Sequence, residues 1–154
     1  MHEKYKLTET RYFLARMLAE HDGLTNFRFE LSAFLGAGRS VLQYALEEAK
    51  LKRGGQQWYD NAMNDPLLAF FRDQRNASTH TAPVAPARDF RHYVSDYLRI
   101  DEDTIIPYRH HTSTHSYRFA AWQGDEDVVE LSERYLNALQ ALVDDGVSQG
   151  MITG

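Results

Sequence analysis

A long apolar stripe between Asn26 and Gly54-Gly55 constrains this chain most. Phe27, Leu31, Phe34, Leu35, Val41, Leu42, Ala45 and Ala49 recur at three- and four-residue steps, the spacing of one helix face. A stripe of that length needs other elements to cover it, and a helical bundle is the expected architecture. Gly36 and Gly38 each cost such a helix about 1 kcal/mol relative to alanine. With Ala33, Ala37 and Ser40 they would let another backbone approach closely. Upstream, Thr8 is placed to cap a first helix whose Phe13, Leu14, Met17, Leu18 and His21 share a face, with Gly23 as its stop. Trp58 and Tyr59 open a short helical connection. A last helix is predicted from Asp125, with Glu126 and Asp127 favourable at its positive end and Val128, Tyr135, Leu139, Leu142 and Val143 buried.

Between these helices the pattern changes. Pro83 and Pro86 mark a loop, and Phe90, Tyr93, Val94, Tyr97 and Leu98 follow at amphipathic helical spacing. Residues 104–108 and 117–122 are rich in β-branched and aromatic side chains and flank a polar His-Thr-Ser-Thr-His stretch, which predicts a hairpin. The expected fold class is mainly α: four to five helices in a single domain, residues 1–154, with one small β-hairpin over about 104–122. A hydrophobic fraction of 43% is enough for one real core.

The segment with chemical promise is Asp65-Pro66-Leu67-Leu68-Ala69-Phe70-Phe71-Arg72-Asp73-Gln74-Arg75-Asn76-Ala77-Ser78-Thr79-His80. Asp65 is a good N-cap and Pro66 suits a first helical turn, so a helix begins here. Leu67, Leu68, Phe70 and Phe71 give it an apolar side, and Arg75, four residues past Phe71, stands near that buried edge. His80 lies five residues beyond Arg75, about 140° around an ideal helix. The two converge on one phosphodiester only if the helix ends or bends between them, and the Ala-Ser-Thr run ahead of Pro83 predicts such an ending.

Arg75-Asn76-Ala77-Ser78-Thr79-His80 resembles the R-x4-6-H motif of the HEPN superfamily, including the polar residue after the arginine. The run Leu31-Ser32-Ala33-Phe34-Leu35-Gly36-Ala37-Gly38-Arg39-Ser40-Val41, the pair Trp58-Tyr59 and residues 117–135 look like uncharacterised bacterial HEPN-like proteins. The resemblance implies a small helical bundle, dimeric, whose active members cleave RNA without a metal or other cofactor. It implies that Arg75 binds phosphate and stabilises developing charge, that His80 does general acid or base work, and that Asn76 orients either partner. Guanidinium stays charged and binds phosphate oxygens bidentately, and imidazole titrates near neutrality, so the residue types suit those roles. RNA, a second copy of the chain, and a cognate antitoxin or other protein are the implied partners. The alternative is a noncatalytic helical module that binds a nucleotide, nucleic acid or protein.

A net charge of −5 argues against broad nonspecific nucleic-acid binding but leaves room for a local basic site. Lys50, Lys52 and Arg53 cluster after the second helix, and Arg72, Arg75, Arg88, Arg91 and Arg99 lie in or after the motif segment. Arg72 and Arg39 are the candidate phosphate contacts beside the motif. Arg39 falls inside the apolar stripe, so it must either pair with an acidic residue of a neighbouring helix or face a solvated cleft. Glu126, Asp127, Glu130, Asp144 and Asp145 concentrate negative charge near the C-terminus. With no cysteine, disulfides and thiol chemistry are excluded. His110, His111 and His115 read as an exposed hairpin tip rather than a metal site, which needs three convergent donors and a supporting shell. Apolar runs are short and nothing resembles a signal peptide, so no membrane span is expected and cytoplasmic residence is the default.

Overall fold

The computed structural model describes the backbone of residues 2–20, 24–101 and 104–154, and the side chains of these outside 89–115. Among the described residues the order is α1 (His2–Ala19), α2 (Leu24–Ala49), α3 (Gly55–Ala62), α4 (Pro66–His80), β1 (Ala87–Asp101), β2 (Thr104–Arg118) and α5 (Val128–Ser148). The chain is therefore mainly helical with one two-stranded antiparallel hairpin.

Helices α1 and α2 form an antiparallel pair. Glu3, Leu7, Thr10, Leu14 and Met17 are buried at alternating steps of four and three, and Phe27, Leu31, Phe34, Gly38, Val41 and Ala45 repeat that rhythm. Two such seams have the alternating spacing that lets neighbouring helices interdigitate. The pairing direction is fixed at both ends: the His2 ring lies 5.3 Å from that of Tyr44, and Arg16 Nε donates to Glu30 Oε1 at 3.2 Å. Thr8 does not cap α1, because Glu3 and Leu7 already belong to the buried seam and carry the helix upstream. Its hydroxyl instead donates back to the Lys4 carbonyl at 3.0 Å. His21 and Gly23 lie outside the described residues.

The core gathers around aromatic rings from three helices. Phe71 of α4 stacks on Tyr135 of α5 at 4.2 Å and 6°, and Phe34 of α2 meets both rings edge-on, at 6.1 Å and 5.9 Å. The edge-on contacts are a geometry the ring quadrupoles favour. Phe34, Leu35, Phe71 and Leu139 share this one cluster, as the periodicity predicts. Glycine at position 38 is required by it: a Cβ there would lie 2.6 Å from Tyr135 Cε1. The close neighbour of this small residue is thus a ring of the same chain. A Cβ at Gly36 meets nothing within 4 Å.

Asp127 joins hairpin to last helix. One carboxylate oxygen accepts from Val129 N at 2.7 Å as the N-cap of α5, and the other accepts from Tyr117 N at 2.7 Å at the end of β2. Helix α5 therefore starts after Asp127 rather than at Asp125. Tyr117 then stacks on Phe27, centroids 3.9 Å apart, and seats the strand end on α2.

The hairpin is longer than expected and turns elsewhere. Residues 90–98, expected as an amphipathic helical stretch, lie in β1, and the His-Thr-Ser-Thr-His run is inside β2 rather than at a tip. The ladder runs from Ala87↔Arg118 to Asp101↔Thr104. Valine, isoleucine and tyrosine favour a pleated ladder over a helix, and the cross-strand hydrogen bonds that decide the matter come from a partner segment that the local spacing cannot reveal. β2 also stops at Arg118, so residues 119–122 lie beyond the ladder.

Candidate functional site

The motif helix α4 begins as its sequence requires. Asp65 Oδ1 accepts from Leu67 N at 2.7 Å and Leu68 N at 3.2 Å, and Pro66 occupies the first turn. Phe71, 1% exposed, anchors its middle in the core. The far end departs from expectation: α4 runs unbroken through His80. Ser78 and Thr79 do not break it because their hydroxyls are satisfied within the helix, donating to the Arg75 carbonyl at 2.8 Å and 3.0 Å. The stop comes later. The Thr81 amide closes on the Ala77 carbonyl at 2.8 Å, and Pro83 disfavours helical backbone at Ala82.

This geometry separates the motif residues within one chain. Five residues of continuous helix set Arg75 and His80 about 140° apart around the axis, with a rise of about 7.5 Å. Arg75 is half-buried on the face shared with Phe71, and His80 and Asn76 are exposed. The expected convergence of Arg75 and His80 through a helix ending is thus not what one chain provides. Arg72, one turn before Arg75, is spoken for in part, since its Nε donates to Asp73 Oδ1 at 2.8 Å.

Arg75 has no carboxylate within ion-pair distance among the described residues, and neither has Arg39. Arg39 therefore lacks the acidic partner that was one of its two expected environments. It stands beside Tyr59 of α3 and Tyr135 of α5, and its Nη1 is buried without a hydrogen-bond partner. Burial pushes the Tyr59 phenol above its ordinary value, while the charges of Arg39 and Arg72 act on it in the opposite sense. Burial also pushes the Tyr135 phenol well up, so both phenols stay neutral. Arg39 and Arg72, from two helices, thus gather about one tyrosine of a third.

A second arginine on α2, Arg28, escapes a reading of the sequence. Arg28, Ser32, Leu35 and Arg39 follow at steps of four, three and four, so Arg28 and Arg39 stand on one side of α2, three turns and about 16 Å apart. Arg28 Nε is also buried without a partner. The residue lines a cleft of about 510 Å³ with Thr25, Phe29, Ser32, Ser78, Pro83, Val84 and Ala85. The signal was available as the repeat of arginine on the apolar stripe. Attention to the motif alone misses it.

The remaining basic residues are dispersed. Lys50, Lys52 and Arg53 are exposed between α2 and α3, with Lys50 Nζ 3.3 Å from Glu47, and Arg88 is exposed at the start of β1. The side chains of Arg91, Arg99, His92, His110, His111 and His115 lie outside the described residues. Among the described residues no group of three or more metal-ligating side chains comes together, and no helix is long and apolar enough to cross a membrane.

Comparison of the chain with protein-family models, with curated proteins and with solved structures found no match. The HEPN resemblance accordingly rests on the motif residues and their flanks.

Proposed function

We propose that this protein is a metal-independent endoribonuclease of the HEPN type, acting as a pair of chains. The observation that carries the reading is the state of Arg75: half-buried on α4 and without a carboxylate partner among the described residues, on the helix that ends in exposed His80. A guanidinium held by a packed helix and left unpaired is suited to a phosphodiester. Because the two side chains diverge within one chain, a composite cleft would join Arg75 of one copy to His80 of the other.

The chemistry asks little of the protein. The RNA 2′-oxygen attacks phosphorus as its proton is removed, charge builds on the phosphorane oxygens, and the bond to the 5′ oxygen breaks as that oxygen takes up a proton. His80 serves the proton transfers, Arg75 the charge, and Asn76 the orientation; Arg72 and Arg39 contact flanking phosphates. Such enzymes serve in toxin–antitoxin and phage-defence systems, where a cognate antitoxin would be the protein partner.

Pure protein should cleave single-stranded RNA in excess chelator, leave 2′,3′-cyclic phosphate ends and spare DNA. Arg75→Ala and His80→Ala should each reduce the rate by roughly 10²-fold or more with the fold intact by circular dichroism. Undiminished cleavage by either variant would sink the assignment. The unbroken helix favours one second reading, a noncatalytic module in which Arg75 holds phosphate and His80 takes no part. RNA binding that weakens in Arg75→Ala without any cleavage by the wild type would select it.

A further inference from the structure

The cleft beside Arg28 has features that the cleavage reading does not use. Its volume of about 510 Å³ falls in the range of small-ligand sites. It is walled by the first turns of α2, by Ser78 near the end of α4, and by the Pro83-Val84-Ala85 segment that follows. In a chain with net charge −5, its lining among the described residues holds one cation and no carboxylate. That cation, Arg28, has no ion-pair partner among the described residues, and its Nε is buried with its hydrogen unmet. That Nε is closed to solvent, so an anion seated in the cleft would meet the guanidinium through its Nη groups, and an unpaired guanidinium at a cleft wall suits one. Thr25 and Ser32 add hydroxyls. Apart from the Ser78 hydroxyl, which donates to the Arg75 carbonyl within α4, the rest of the described lining is apolar, and Phe29 presents its ring at 68% exposure.

Charge at one point, hydroxyls beside it and a solvent-facing aromatic ring together describe a ligand with a phosphate, a polar linker and a flat face. We infer that this cleft is a nucleoside monophosphate site: Arg28 takes the phosphate, Thr25 and Ser32 the sugar side, and Phe29 stacks on the base. A guanidinium binds phosphate through paired donors, and every base has a face on which an aromatic ring can stack. Inorganic phosphate would satisfy Arg28 and leave the ring unused, and a bare nucleoside would do the reverse. The same chemistry is offered by a free nucleotide and by the 5′-phosphorylated end of an RNA.

Isothermal titration of the full chain with 5′-AMP, 5′-UMP, adenosine and inorganic phosphate tests this. One 5′-nucleotide should bind per chain, with adenosine and phosphate each at least about tenfold weaker, the scale of one charge-assisted contact. Arg28→Gln should weaken 5′-AMP by about tenfold or more. Phe29→Ala, at an exposed position whose loss spares the fold, should bring 5′-AMP down toward the affinity of phosphate. An oligoribonucleotide that displaces 5′-AMP only when 5′-phosphorylated would identify an RNA end as the ligand, and one that never competes would identify the free nucleotide. The inference is overturned if neither nucleotide binds at millimolar concentration, or if Arg28→Gln and Phe29→Ala both bind as wild type does. Either result would leave the cleavage assay standing on its own.

Discussion

Trp58 shows how single side chains set the pH response. Its indole Nε1 donates to Asp145 Oδ2 at 2.7 Å, tying α3 to α5, and Gly146 lets the ring lie flat, since a Cβ there would come within 2.7 Å of Trp58 Cζ2. The indole hydrogen bond, with help from Gln149, holds the Asp145 carboxyl below its ordinary value of 3.8. A depressed folded-state value means that the stabilisation is fully present above the unfolded value and is lost as pH falls through the folded one. Asp145→Asn keeps an acceptor for the indole but removes the charge. The variant should be less stable than wild type at neutral pH by no more than about 1 kcal/mol, because Asp145 is solvent-screened. Urea melts of the two proteins should converge as pH drops below 3.8. A gap that persists or widens in acid would refute the linkage. At this scale the sequence was only partly legible. It placed Arg39 among two possible environments, but which neighbours it meets depends on α3 and α5, far away in the chain.

Helix α4 is the element on which the reading of the site depends, and Phe71 is its anchor. Removing that ring leaves Tyr135 without its stacking partner and Phe34, Phe70 and Phe119 without an edge contact. Phe71→Ala should cost about 3 to 5 kcal/mol in chemical denaturation. A cost below about 1 kcal/mol would show that α4 is not held by this contact, since such a loss is typical of surface positions. The element itself was legible because its start and its burial are both local: Asp65 and Pro66 mark the first turn, and Leu67, Leu68 and Phe71 mark the face. Its end was not, because Ser78 and Thr79 read equally well as helix breakers or as hydroxyls bonded back to a carbonyl. The hairpin was misplaced for a different reason. Phe90, Tyr93, Val94, Tyr97 and Leu98 fit a helical repeat on spacing alone, whereas pairing with residues 104–118 is a non-local outcome.

At the scale of the whole molecule, assembly decides what the motif can do. One chain presents a half-buried Arg75 and an exposed His80 on opposite-leaning faces of the same rod, so cleavage as proposed requires a second chain. Light scattering of dilute protein should give about twice the 17.8 kDa chain mass. A sharper test mixes the two inactive variants. In a mixed dimer, the Arg75→Ala chain still carries His80 and the His80→Ala chain still carries Arg75, so one composite site is whole and the other lacks both groups. Random exchange makes half of the dimers mixed, each with one of two sites intact, and activity should recover to about a quarter of wild type. A site built within one chain would recover nothing on mixing, because every chain in the mixture is missing one member of the pair. Failure to recover despite proven subunit exchange would therefore discard the composite cleft. The helical geometry would then leave Arg75 and His80 of one chain too far apart in angle to act on one phosphodiester, and the phosphate-holding module would be the reading that stands.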